Sequence, residues 1–122
     1  MNRDLLIERT KKFAHKCVKL TMELPKTQLG KHICDQLIRS STSVAANYRA
    51  ACLGQSRASF ISKISIVIEE VDETGFWLEF IIDENLINDD QIKMLLQESK
   101  ELTSIFIKTR ITAKKSNKSN NK

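Results

Sequence analysis

The chain has 122 residues and a mass of 14.0 kDa, enough for one domain with a sizeable core. Its 41% hydrophobic content suits a globular protein, while three glycines and one proline leave little material for hairpin turns. No apolar run is long enough for a membrane span, no long apolar stretch marks a signal peptide, and Cys17, Cys34 and Cys52 form neither Cys-x-x-Cys nor an even set, so a cytoplasmic protein without disulfide framework or metal knuckle is expected.

Leu6, Phe13, Cys17, Leu20 and Leu24 recur at helical spacing, which predicts a first helix from about Asp4 to Glu23, ended by Pro25. Thr27 can cap a second helix from Gln28 to Leu53, with Leu29, Ile33, Leu37, Ser40, Val44, Asn47 and Ala51 on one face and Gly54 as a left-handed stop. Ser56 can cap a third, reaching about Glu84, in which Ile61, Ile64, Ile68, Val71, Gly75, Leu78 and Ile82 alternate steps of three and four. Asn88 and Gln91 resemble a capping box before a fourth helix that fades near Ala113 and presents Ile92, Leu95, Ser99, Leu102, Phe106 and Thr109. Short connections force neighbours antiparallel, so the expected fold class is all-α, an antiparallel up-down four-helix bundle over residues 1–113. Residues 114–122 hold only Lys, Ser and Asn, and read as a disordered basic tail.

Charge is segmented along the chain: residues 1–63 carry a balance of +8, residues 64–107 of −9, and residues 108–122 of +6. Arg9, Lys12, Lys16 and Lys19 follow one another at helical steps beside the apolar face of the first helix. Together with Arg39 and Arg49 they are the candidate nucleic-acid contacts. Four such charges displacing counterions from duplex DNA imply a slope of about −3.6 in log affinity against log salt. The alternatives are a solvated helix face, or pairing of the basic half of one subunit with the acidic third helix of its neighbour.

On the third helix, Ile66, Phe76, Trp77 and Phe80 lie opposite the expected core face, interleaved with Glu69 and Glu73. These six are the candidate oligomer interface; the alternative is that the first or fourth helix wraps round to cover the aromatics. Asn47 is expected to bond Glu70 or Asp72 as a structural polar contact that fixes helix register. Ser43, Ala46 and Ala50 share one flank of the second helix and permit close approach of a neighbour. No base stands near a serine, no Gly-rich phosphate loop is present, and His15 and His32 fall in no Glu-x-x-His motif, so neither an enzyme, a metal site nor a cofactor is expected.

Three stretches carry a family likeness: Gln36 to Ala51, with its basic, Ser-rich turn leading to Ala46-Asn47; Ser59 to Ile64; and Glu69 to Leu78, acidic and then aromatic. They resemble the four helix bundle family also called 23S rRNA intervening-sequence proteins. Where many members have Ile-Ala-Glu-Gly after the asparagine, this chain has Tyr48-Arg49-Ala50-Ala51, similar to a second branch. The resemblance implies a bacterial up-down bundle, a homopentameric ring in some members, and an association with RNA or DNA. It further implies that a reverse transcriptase is a possible protein partner, since related accessory proteins of diversity-generating retroelements bind one. The expected function is therefore a non-enzymatic, oligomeric, nucleic-acid-associated accessory protein; the alternative is an interaction scaffold with no nucleic-acid role.

Overall fold

A computed structural model describes residues 2–54 and 56–120, with side chains described as far as Ser116. Four helices follow one another, α1 (Arg3–Thr21), α2 (Gln28–Cys52), α3 (Arg57–Asp83) and α4 (Asp90–Asn120), each packed antiparallel on the next as an up-down bundle. Packing is extensive between α1 and α2, α2 and α3, and α3 and α4, whereas α1 and α4 meet only lightly. The bundle therefore has one open seam.

Side-chain oxygens start the helices. Asn2 accepts from the Leu5 amide at 2.8 Å, Thr27 from Gly30 at 3.0 Å and Ser56 from Ser59 at 3.0 Å, each satisfying an otherwise orphaned first-turn donor. At α4 the cap is Asp89, which accepts from Ile92 at 3.3 Å, in place of the expected Asn88. Its carboxylate also suits the positive end of the helix dipole. Gly54 is not left-handed, as no described glycine has positive φ; the residue that takes this conformation is Asn85, with φ 54°. There the Leu86 amide returns to the Ile81 carbonyl at 3.0 Å and Asn85 to Ile82 at 3.1 Å, closing α3. α4 runs past Ala113 to Asn120, so Lys114, Lys115 and Ser116 are helical where a tail was expected. No Gly or Pro interrupts them, and lysines complement a helix C-terminus. Of the expected tail, the side chains beyond Ser116 and residues 121–122 lie outside the described residues.

The core is a continuous cluster drawn from all four helices, with Phe13, Leu20, Ile33, Leu37, Leu78, Leu102 and Phe106 among its fully buried members. All five apolar residues expected on the first helix face are buried. On α3 the buried face is rotated from the expectation: Val67, Thr74 and Ile81 are buried, while Ile61, Ile68 and Ile82 are only partly so. The cause is that α3 packs between α2 and α4 and buries a wider arc than a two-helix seam requires.

Polar groups set the register of α2 on α3. The Thr74 hydroxyl, fully buried, hydrogen-bonds Ser40 Oγ at 2.9 Å across the interface and the Glu70 carbonyl at 2.8 Å. Asn47 does not take that role. Its Nδ2 donates to the Ser43 carbonyl at 3.0 Å and Ser43 Oγ at 2.9 Å, one turn back on its own helix. Glu70 accepts instead from Arg39, and Asp72 is exposed on the other flank of α3. Two close approaches use glycine: Gly30 lies against the Pro25 carbonyl, and Gly75 against Ser99 of α4. Ser43 and Ala50, expected to permit close packing, are half-buried, and Ala46 faces solvent.

Candidate functional site

The basic stripe of α1 does not survive folding intact. Arg9 reaches across the open seam to α4, where Nε and Nη2 donate to both carboxylate oxygens of Glu98 at 2.8 and 2.6 Å, and Nη2 also lies 3.3 Å from Glu101. These bonds raise the guanidinium pKa further. Arg9 is thus a clamp between α1 and α4. Arg39 is likewise engaged, donating to Glu70 at 2.9 Å and to Glu73 across the α2–α3 groove. Lys12, Lys16, Lys19 and Arg49 remain exposed and have no hydrogen-bond or ion-pair partner among the described residues.

A larger basic feature arises from topology. In an up-down bundle the starts of α1 and α3 meet the ends of α2 and α4, which brings Arg3, Arg49, Arg57, Lys108, Arg110, Lys114 and Lys115 to one end of the molecule. Contacts confirm the convergence. Arg3 Nη1 lies 3.5 Å from the Cys52 carbonyl, and Arg110 Nη1 lies 3.4 Å from Ser65 Oγ. Two clefts of about 270 and 500 Å³ share Arg57, Phe60 and Ala113 as lining; Arg3 enters the first and Lys108 the second. Among the described residues no carboxylate lines either one. Positive potential in a concave, partly apolar setting of this kind concentrates anions. Arg3, Arg57 and Lys108 were not among the sequence-derived candidates. The signal was present in the alternation of helix direction: adding the charges at the starts of odd helices to those at the ends of even helices exposes the basic pole.

The second surface is the outer side of α3. Phe76 is 52% exposed there, with its ring centroid 4.9 Å from Trp77 and 5.9 Å from Phe80. Ile66 and Phe80 are partly exposed and Glu69 is exposed. Trp77 and Glu73 turn toward α2: the indole packs edge-on to His32 at 5.5 Å and its Nε1 donates to Glu73 at 3.2 Å. Of the six interface candidates, Ile66, Glu69, Phe76 and Phe80 thus face outward, while Trp77 and Glu73 are engaged within the subunit. The helix that covers the edge of the aromatic group is α2, whereas the alternative to an interface had named the first or fourth helix.

Burial pushes the Cys17 thiol up to about 12, which removes it as a nucleophile. Among the described residues no group of three or more His, Cys, Asp and Glu gathers into a metal site, and no helix is long and apolar enough to cross a membrane.

The sequence profile described as 23S rRNA-intervening sequence protein matches residues 4–108. The chain belongs to this family. Family membership thus spans all four helices and ends short of the basic residues that close α4. Among solved structures, a protein of unknown function from the S23 ribosomal protein family of Bacteroides thetaiotaomicron VPI-5482 is similar, with a TM-score of 0.78 and 34% sequence identity. The match covers 85% of this chain and 96% of that one, so the bundle is common to both. A search of curated protein sequences found no significant match.

Proposed function

We propose that this chain is a non-enzymatic, self-assembling accessory protein that holds nucleic acid by its phosphate backbone at the basic end of the bundle. The observation that carries the reading is the convergence of Arg3, Arg57 and Lys108 on clefts floored by Phe60 and free of carboxylates. Lysine and arginine side chains that neutralise phosphates release condensed counterions, and an aromatic floor offers a stacking surface to an unpaired base. The family name, which refers to sequences lodged within ribosomal RNA, agrees with a polyanionic partner. Lys12, Lys16 and Lys19 extend the basic surface along the body of the bundle and Arg49 adds to its basic end, with Arg9 and Arg39 excluded by their own ion pairs. The outer side of α3 is the proposed assembly surface.

Fluorescence anisotropy with labelled RNA and DNA, single-stranded and duplex, at two salt concentrations tests the reading. Three displaced counterions predict a slope of about −2.1 for single strands and about −2.7 for duplex. Reversing Arg3, Arg57 and Lys108 to Glu is expected to abolish binding, and reversing Lys12, Lys16 and Lys19 to weaken it. Absence of binding at low salt refutes the reading. It would favour the second, an interaction scaffold without nucleic acid, which gains support from Arg9 and Arg39 being paired to the chain's own carboxylates.

A further inference from the structure

Each of α1 and α4 packs along its length on one neighbour, α2 and α3 respectively, and the two meet each other only lightly. A four-helix bundle is filled when every helix has two flanking neighbours, so the α1–α4 seam is short of packing. Leu5, Arg9, Lys12 and Lys16 succeed one another at steps of four, three and four, and so share one stripe of α1. Arg9 points that stripe at α4, where it bridges to Glu98 and Glu101. Beside the bridge the seam opens into a cavity of about 400 Å³. Phe13 and Leu95, both buried in the core, floor it, and Lys12, Lys16, Gln91 and Met94 stand round its mouth. Met94 is 70% exposed, and Leu5, on the other side of Arg9 along α1, is 56% exposed.

Charge selects the occupant. Lys12 and Lys16 are exposed and have no hydrogen-bond or ion-pair partner among the described residues. Glu98 and Glu101, the carboxylates that reach the seam from α4, are already engaged by Arg9. The rim left for a ligand is therefore positive. Shape selects it too, since from Leu5 to Lys16 the seam runs about 16 Å at 1.5 Å per residue, three turns of a helix. We infer that the α1–α4 seam is a docking groove for an acidic amphipathic helix of another protein. Its apolar stripe lies on Leu5 and Met94 over the Phe13–Leu95 floor, and its flanking carboxylates face Lys12 and Lys16. A helix laid in a groove is read through anchors at successive turns, and an unbranched methionine at the mouth adapts to their shape.

The inference goes beyond the proposed function and requires neither nucleic acid nor self-assembly. It shares Lys12 and Lys16 with the basic surface described above, but uses neither the clefts at the basic end nor the outer side of α3.

The probe is a fluorescent synthetic peptide about four turns long, with leucines on one helical stripe and glutamates on both flanks. A control peptide has the same composition with the leucines scattered round the helix. Anisotropy on the full chain is expected to show saturable binding of the striped peptide and binding of the scattered one weaker by about tenfold or more. Two double variants at exposed positions divide the site: Leu5→Ala with Met94→Ala removes the apolar contacts, and Lys12→Ala with Lys16→Ala removes the charges. Each pair is expected to weaken the striped peptide by about tenfold. The Leu5 and Met94 pair is also expected to leave the affinity for single-stranded RNA unchanged, which separates this site from the nucleic-acid reading. On the unaltered chain, bound peptide is expected to slow amide exchange most in α1 and α4. Equal binding of the two peptides would reduce the seam to a general polyanion surface and overturn the groove. Absence of saturable binding, an affinity unmoved by either pair, or protection centred on α2 or α3 would overturn it as well.

Discussion

Replacing Gly30 by alanine sets two effects of opposite sign against each other, and the structure decides between them. Alanine is favoured over glycine in a helix by about 1 kcal/mol, so helix propensity alone predicts a more stable protein. Gly30 sits in the first turn of α2, buried where the chain folds back after Pro25. A Cβ there would lie 1.9 Å from the Pro25 carbonyl oxygen and 3.0 Å from its carbon. Ordinary contact begins at 3.4 Å, so the connection must open by about 1.5 Å. The obstacle is backbone, which cannot rotate aside as a side chain would. Overpacking of this kind costs roughly 3 kcal/mol at the upper end of its range, leaving a net loss of about 2 kcal/mol. For a chain of this length that corresponds to a Tm lowered by roughly 6–10 °C. Thermal unfolding followed by far-UV circular dichroism measures it. A Tm at or above wild type would refute the packing argument. Gly75→Ala is the comparison: its nearest obstacle is Ser99 Oγ at 3.1 Å, a side-chain atom that can give way, and the fall is expected to be smaller.

Thr74→Val leaves the fully buried Ser40 hydroxyl without its cross-helix partner and is expected to cost about 1–3 kcal/mol in urea unfolding. Adding Ser40→Ala should recover part of that loss; a double variant less stable than the sum of its singles would contradict the pairing. Arg9→Ala removes a clamp whose partners are partly exposed, so a loss of about 1 kcal/mol is expected, with faster amide exchange along the α1–α4 seam as the local readout. Burial holds Cys17 protonated up to about pH 12, above the range of an unfolded thiol. Since the folded-state value is raised, its contribution to stability is complete below pH 9 and falls as pH rises from there toward 12. Mass spectrometry after brief alkylation at pH 8 should find Cys17 unmodified in the native protein and modified in denaturant, and native labelling would overturn the assignment.

The local signals were legible in the chain. Thr27 and Ser56 cap the helices they were expected to cap, because an N-cap needs only a short side-chain oxygen and the amide three residues on. The apolar period located α1 through α4 and the buried face of α1, while on α3 it missed Val67 and Ile81, because a helix packed between two neighbours buries a wider arc than one stripe. The likeness in the Ser-rich turn and the acidic-aromatic third helix led to the right family for the same reason: such motifs are sequence properties.

What tertiary structure alone decided is the partner of each long polar side chain. Arg9 and Arg39 look like free cations in the sequence and become clamps because Glu98, Glu70 and Glu73 lie within reach only after the helices pack. Asn47 turns back to Ser43 on its own helix, and the α2–α3 register is held instead by Thr74 on Ser40, two turns away. Trp77 is held by His32, a residue 45 positions away, and so leaves Phe76 as the projecting ring of α3. Arg3, Arg57 and Lys108 are remote in sequence and share adjoining clefts because antiparallel packing gathers helix starts and helix ends at one pole. Periodicity is set by a helix's own geometry, but reach across a groove is set by the neighbour, and the neighbour is a property of the fold.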